Sequence, residues 1–137
     1  MSTEKDDYLE LFIQELEEQL QELRNSIEQF EKINHDSNPY EVFFRVTHTL
    51  KGNAGFMGFE DLAEVSRIVC EVYRGLTPEE AKEINVDPFS KRFYVLLSAY
   101  KGIIEKKHST SALVPDSIIS EAQKLLNKRE QIKHKQE

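Results

Sequence analysis

The feature that most constrains the fold is a helical pattern that runs unbroken for about six to seven turns near the start of the chain. The positions between its apolar residues are mostly Glu and Gln, which are good helix formers on a solvated face. This pattern predicts a long amphipathic helix over residues 6–32. The apolar residues recur at three- and four-residue steps and are Leu9, Phe12, Ile13, Leu16, Leu20, Leu23, Ile27 and Phe30.

Capping signals divide the rest of the chain into further helices. Asn38-Pro39, the segment Thr77 to Glu80 and Asp87-Pro88 each combine a good N-cap with a proline suited to a first helical turn. Residues 34–38 and 106–114 read as breaks between helices. The second predicted helix runs from residue 39 to about residue 53, and it could continue to residue 55. The helices predicted after it span residues 60–74, 77–84, 87–106 and 115–133, and the one at 77–84 is short.

These elements indicate an all-α fold without strand-period segments. We expect a single domain over residues 1–137, with an up-and-down antiparallel four-helix bundle at about 6–107 and an additional fifth C-terminal helix. The 137 residues, 39% hydrophobic and 31% charged, suit one domain with an ordinary core. Cys70 is the only cysteine, which excludes an intramolecular disulfide and a cysteine-based zinc cluster.

Charge and hydropathy narrow the choice of partners. A net charge of −7 argues against nucleic-acid binding, because a chain that neutralises phosphates is usually basic. No apolar run approaches the roughly 20 residues of a membrane span, and the acidic N-terminus lacks the apolar core of a signal peptide. We therefore expect a cytoplasmic, monomeric domain that contacts neither nucleic acid nor membrane. The sequence indicates no metal site and no cofactor bound by this chain.

His48 lies on the outer face of the second predicted helix. An α-helix turns about 100° per residue, which puts His48 roughly 140° from the centre of the inner row formed by Phe43, Val46, Leu50 and Ala54. Lys51, Gly52, Gly55 and Phe44 fall within about 60° of it. A glycine inside a helix costs about 1 kcal/mol relative to alanine. Two glycines beside one histidine indicate that side-chain bulk is unwelcome there, as it would be if another protein docked over His48.

The third helix contributes a second row of residues to this region. With its apolar residues inward, Ala63, Arg67, Cys70 and Arg74 are expected to form an outward strip that flanks His48. A neutral imidazole is a good nitrogen nucleophile, and phosphoryl transfer requires in-line approach and charge neutralisation. Lys51, Arg67 and Arg74 would then surround an arriving phosphoryl group.

The aromatic residues near this region leave two interpretations open. Phe44 and Tyr40 either belong to a docking surface or cover the end of the bundle. In the connection after the second helix, whose glycines permit positive φ angles, Phe56, Met57 and Phe59 are expected to plug the end of the core.

The run from His48 to Phe59, His-Thr-Leu-Lys-Gly-Asn-Ala-Gly-Phe-Met-Gly-Phe, resembles the motif of the histidine phosphotransfer (HPt) family, H-x-x-K-G followed by a glycine-containing turn. It looks most like the version found in chemotaxis histidine kinases of the CheA type, which also carry a fifth helix. The resemblance implies a helical bundle whose exposed histidine, here His48, is phosphorylated on Nε2. It implies Lys51 as a cation on the phosphate side, and Gly52 and Gly55 as positions that leave room.

The resemblance also implies partners. The phosphoryl donor would be ATP, with Mg²⁺, on a separate kinase catalytic domain, and the acceptor an aspartate of a CheY-like response-regulator receiver domain. This chain has no Gly-rich ATP-binding pattern, so the resemblance makes it part of a protein-histidine kinase and not a kinase by itself. A relay protein outside chemotaxis and a helical bundle that binds partners without chemistry remain alternatives.

One position departs from the family pattern. CheA-type domains carry a glutamate on the third helix that hydrogen-bonds the other ring nitrogen, and the alignment puts Cys70 there. A thiol is a weak hydrogen-bonding group and does not replace a carboxylate. Glu71 and Glu64 are the candidate substitutes on the same helix.

Overall fold

The computed structural model of the chain describes residues 4–32, 38–107 and 114–136. Within these ranges it forms helices α1 (Glu4–Gln29), α2 (Pro39–Met57), α3 (Glu60–Tyr73), α4 (Pro78–Ile84), α5 (Asp87–Lys107) and α6 (Asp116–Gln136). The predicted all-helical class is confirmed, and the helix limits agree with the prediction to within a few residues. The predicted break at 34–38 and loop at 106–114 fall largely outside the described residues.

The long helices pack around one apolar core. Helix α1 lies against α2 and α5, α2 lies against α3, and α6 packs on α3 with smaller contacts to α4 and α5. The inner rows predicted from the sequence supply this core, and the short helix α4 adds Ala81 and Ile84. The predicted fifth helix is therefore α6, and it belongs to the core through Ala122 and Leu125.

Two of the predicted caps are formed as the sequence indicates. The Asn38 side chain accepts a hydrogen bond from the Tyr40 N–H at 2.9 Å, with Pro39 in the first turn of α2. Thr77 and Glu80 form a reciprocal capping box at the start of α4, with both bonds at 3.1 Å. Each cap satisfies backbone donors that a helix start otherwise leaves unpaired, which fixes where these helices begin.

Tyr40 covers the end of the bundle. Its ring is buried and stacks on Phe30 with centroids 4.7 Å apart, and its hydroxyl donates to Asp87 Oδ1 at 2.8 Å. Burial, followed by this hydrogen bond to a carboxylate, raises the pKa of Tyr40 well above its ordinary value. Of the two roles considered for Tyr40, the docking surface is therefore excluded.

The end of α2 differs from the sequence prediction. The helix continues through Gly55 to Met57, and Gly58, at φ +80°, is the residue that stops it. Gly58 donates its N–H back to the last turn in a left-handed cap, so the turn needs only this one glycine. Because the helix extends, Phe56 points outward, is 73% exposed and contacts Tyr8 edge-on, while Phe59 is buried. The prediction that Phe56 plugs the core is wrong.

Candidate functional site

His48 is exposed on α2, as the helical count predicts. One edge of its ring faces α3, where Nδ1 lies 3.9 Å from Cys70 Sγ. The His48 ring also lies near the ring of Phe44, one helical turn earlier, with centroids 5.7 Å apart and an angle of 30° between the planes. A thiol and an aromatic side chain are thus neighbours of the exposed imidazole.

Cys70 lies in the interface between α2 and α3 and not on an outward strip. Its exposed fraction is 0%, because the close packing of these two helices covers the position. This burial raises the pKa of the Cys70 thiol, although Lys51 and Arg74 oppose the shift. The thiol is therefore protonated at neutral pH. The alignment that put Cys70 opposite the histidine agrees with the geometry, but its predicted exposure is wrong.

A small group of charges lies beside His48. Arg74 pairs with Glu71 at 2.9 Å and lies over the Phe44 ring, 4.9 Å from its centroid. The Arg74 hydrogen bond lowers the pKa of Glu71, and Lys51 adds to this effect. Glu71 is thus engaged by cations and makes no hydrogen bond to His48 in the described part of the chain. Lys51 and Arg74 leave positive charge on the α3 side of the ring.

The other residues of the strip predicted on α3 are not in contact with His48 among the described contacts. Ala63 is half-buried and packs against the core, and Arg67 is exposed on α3 without an ion pair among the residues that the structure describes. Glu64 is also exposed and has no described hydrogen bond to His48. Lys51, Arg74 and Phe44 are therefore the predicted residues that the structure connects to the His48–Cys70 region, and Arg67 and Glu64 are not.

Gly52 and Gly55 both lie within α2 and face open space. A Cβ atom built on either glycine would have no neighbouring atom within 4 Å. Nothing within the described domain therefore requires a glycine at these positions. If side-chain bulk is unwelcome at Gly52 and Gly55, as the sequence suggests, the reason lies in the solvent-facing space beside them and not in the packing of the domain.

The two sides of His48 differ in charge. On the α1 side, an open groove of about 330 Å³ reaches the histidine, and its charged lining residues are three glutamates and one arginine, namely Glu15, Glu18, Glu22 and Arg45. On the α3 side lie Lys51 and Arg74, as described above. The groove therefore carries a net negative charge, whereas the α3 side carries a net positive charge from Lys51, because Arg74 is paired with Glu71 there.

Thr47 also lies in this region, and it was not predicted from the sequence. It is buried, and its hydroxyl donates to the Phe43 carbonyl at 2.6 Å, with a longer contact of 3.2 Å to the Phe44 carbonyl. A threonine on the inner side of a helix is a recognisable signal, because it can bond the carbonyl one turn back.

The comparisons with known proteins decide the family. A match to the Hpt domain covers residues 7–100, which is more than half of the chain. The chain belongs to the Hpt family. It is similar to the chemotaxis protein CheA of Halobacterium salinarum, with 34% identity over 98 residues that make up 72% of this chain and 14% of that protein. It is also similar to CheA of Rhizobium meliloti, with 36% identity over 59 residues, or 43% of this chain and 8% of the relative.

This Hpt chain therefore spans a small part of the CheA proteins that it matches. No solved structure gave a significant match. Across the described residues, no helix is both long and apolar enough to cross a bilayer. No cluster of three potential ligands for a metal ion occurs in the same described ranges.

Proposed function

We propose that this Hpt domain is the phosphoryl carrier of a chemotaxis signalling system. His48 accepts a phosphoryl group from a histidine kinase catalytic domain and passes it to an aspartate of a response-regulator receiver domain. The observation that carries this proposal is the placement of His48. It is exposed on α2, with Lys51 and Arg74 on one side and two glycines that leave the approach open.

The proposed chemistry asks only for a nucleophilic nitrogen and a nearby cation from this domain, while the partner domains supply ATP and Mg²⁺. Attack of a ring nitrogen on the γ-phosphorus of ATP forms an N–P bond while the bond to ADP breaks, and a second transfer moves the group to a carboxylate oxygen. Both steps depend on in-line positioning and charge neutralisation. Lys51 supplies positive charge here, and ATP and Mg²⁺ are assigned to the partner domains. The relatives support a place within a CheA-type kinase.

A relay domain outside chemotaxis is the second candidate, and one observation favours it. The position facing His48 Nδ1 holds a buried thiol where CheA-type domains place a carboxylate. A kinase-linked domain is part of the same polypeptide as a dimerisation and ATPase region, and a relay domain is not. Sequencing the gene beyond Glu137 for a dimerisation and ATPase region separates the two.

The test of the proposal is phosphorylation of the domain by its cognate kinase with radiolabelled ATP. The wild-type domain is expected to acquire a base-stable, acid-labile phosphate, because phosphohistidine hydrolyses in acid. His48→Gln is expected to lose the label completely. His134→Gln is the matched control, because His134 is also an exposed helical histidine but lies on α6.

Transfer to the receiver domain is then followed by loss of the label from the carrier. An unlabelled wild-type domain in the presence of active kinase would contradict the proposal and leave a helical bundle that binds partners without chemistry. Equal labelling of wild type and His48→Gln would contradict the assignment of His48.

A further inference from the structure

Glu71 is an anion beside a site that is proposed to carry an anion. It follows Cys70 directly on α3, and the sulfur of Cys70 lies 3.9 Å from His48 Nδ1. A phosphoryl group adds about two negative charges, so a neighbouring carboxylate repels it. Glu71 makes no hydrogen bond to His48 within the described ranges. Its presence beside the histidine therefore calls for another explanation.

The hydrogen bonds of Glu71 go to Arg74. Both carboxylate oxygens accept from Arg74 Nε, at 3.3 and 3.2 Å, and Oε1 also accepts from Nη2 at 2.9 Å. The hydrogen bond from Arg74 lowers the pKa of Glu71, so the carboxylate is charged at neutral pH. While this pair is closed, the positive charge of Arg74 is largely neutralised on the side of α3 that flanks His48.

Arg74 lies within reach of His48. Its guanidinium carbon is 4.9 Å from the centre of the Phe44 ring, and the same ring centre is 5.7 Å from the centre of the His48 ring. Phe44 therefore lies beside both the cation and the imidazole. Because an arginine side chain is long and flexible, the guanidinium can turn from Glu71 toward His48 without a backbone movement.

The pair between Glu71 and Arg74 is weak enough to open. The two side chains are 41% and 47% exposed, and ion pairs that face solvent contribute little free energy. A phosphoryl group offers three acceptor oxygens and a larger charge than a carboxylate, and arginine binds it through two parallel hydrogen bonds. A guanidinium that can reach both groups therefore prefers the phosphoryl group.

We propose that Glu71 is a competing anion, which holds Arg74 while His48 is unphosphorylated and releases it to the phosphoryl group afterwards. The pair withholds one cation from an arriving phosphoryl group and so slows phosphorylation of His48. Glu71 acts through Arg74 and touches no reacting atom. It is a regulatory residue of the site, and its meaning rests on the proposed function.

The test uses potassium phosphoramidate as the phosphoryl donor, so that docking of a kinase does not enter the rate. A ring nitrogen of His48 forms a bond to phosphorus, the bond from phosphorus to the donor nitrogen breaks, and ammonia leaves. The label is followed by ³¹P NMR, and the label on His48→Gln is subtracted. We expect Glu71→Gln to be phosphorylated about threefold faster than wild type, the size that one exposed ion pair allows.

Two controls separate the release of Arg74 from a simple loss of negative charge. Glu64→Gln removes the same charge from another exposed position of α3 and is expected to leave the rate near that of wild type. In an Arg74→Gln background, the gain from Glu71→Gln is expected to disappear, because the two residues act as one pair. A gain that persists in this background would overturn the proposal. So would a rate in Glu71→Gln at or below that of wild type.

The exchange of partners is followed directly through the NMR signal of the Arg74 Nε–H group, which is assigned by its loss in Arg74→Gln. In the unphosphorylated domain this N–H donates to Glu71. Its signal is expected to shift when Glu71 is replaced by Gln and when wild-type His48 is phosphorylated. A signal that keeps its position on phosphorylation would show that Arg74 stays on Glu71, and would overturn the proposal.

The failure of this inference and the failure of the proposed function are distinguishable. If the cognate kinase never labels the domain, the proposed function fails, and the phosphoramidate rates still decide the role of Glu71. If the kinase labels His48 but Glu71→Gln shows no gain with phosphoramidate, the role of Glu71 fails alone. An absence of label on His48 from phosphoramidate would also overturn that role, because it requires a ring that reacts before any partner docks.

Discussion

If His48 carries a phosphoryl group, as we propose, Lys51 is a cation placed to act on it. It lies three residues after the histidine and acts electrostatically on both Cys70 and Glu71 of α3. A cation held near a transferring phosphoryl group stabilises charge in the transition state more than a mobile ion in solvent does. Arg74 differs, because Glu71 already neutralises part of its charge.

We expect Lys51→Gln to slow phosphorylation of the domain by about tenfold or more, since removal of one well-placed donor costs this much or more in other enzymes. The thermal midpoint should change little, because Lys51 is partly exposed and forms no ion pair among the residues that the structure describes, and such a side chain contributes within about 0.5 kcal/mol. Lys91→Gln on α5 is the matched control and should leave the rate unchanged. Equal rates in wild type and Lys51→Gln would show that the charge is not used.

The buried thiol of Cys70 gives the domain a defined pH dependence. Burial raises the pKa of Cys70 in the folded state above that of the unfolded chain, which is about 8.5. The stability that the neutral thiol contributes is therefore fully present below pH 8.5 and is lost as the pH rises through the folded-state pKa.

The free energy of unfolding of the wild type, minus that of Cys70→Ala, should be constant from pH 6 to 8 and should shrink toward pH 10. Urea unfolding at each pH measures it, and the titrations of lysines and tyrosines common to both proteins cancel in the difference. A difference that grows with pH would mean that the thiolate is the stabilised form in the folded domain.

At the level of helices, α2 contains two glycines that lower its stability and that its own packing does not explain. Gly52 and Gly55 lie in its helical interior with open space where a side chain would be. Glycine in such a position loses more backbone entropy on folding than alanine does. Docking of a partner over these glycines, as proposed above, would account for this cost.

We expect Gly52→Ala and Gly55→Ala each to stabilise the domain by about 0.5–1 kcal/mol and to slow transfer to the receiver domain. Gly102→Ala is the matched control, because Gly102 is also helical and unobstructed but lies on α5. It should stabilise the domain similarly without slowing transfer. Thermal unfolding and single-turnover transfer measure the two effects. Transfer at the wild-type rate in both α2 variants would contradict docking over these glycines.

Helix periodicity predicted most of this architecture because each inner row repeats over several turns. The inner row of α2 and the exposure of His48 follow from one geometric count, and the Thr77 cap follows from local chemistry. What periodicity could not predict depends on neighbours. The burial of Cys70 results from the approach of α2 to α3, and the exposure of Phe56 from a helix that ends at Gly58 and not at Gly55.

At the level of the whole molecule, α6 lies outside the 7–100 match to the Hpt domain but is built into the core. It packs on α3, the helix that carries Cys70 and Arg74. The contact includes Arg129, which is almost fully buried and donates from Nη1 to the Val72 carbonyl at 2.8 Å. A cation at this point favours the C-terminal end of α3, where carbonyls lack helical partners.

Burial of Arg129 also has a cost. Its Nε atom is buried without a hydrogen-bond partner among the described residues, and burial lowers the pKa of the guanidinium. A hydrogen bond from a charged group contributes about 1.5–3 kcal/mol, and an unsatisfied buried polar atom costs about 1–3 kcal/mol. These two contributions nearly cancel. The larger part of what Arg129 supplies is then the packing of its apolar stem between α3 and α6.

Two substitutions separate the stem from the charge. Arg129→Met keeps the apolar stem and removes both the bond and the unpaired atom, so we expect a loss in the free energy of unfolding of less than about 1 kcal/mol. Arg129→Ala also removes the stem and leaves a cavity, so we expect a loss of about 2–4 kcal/mol. Urea unfolding followed by circular dichroism measures both. Equal losses would mean that the hydrogen bond to Val72 dominates, and α6 would then be held to α3 by its charge and not by its apolar packing.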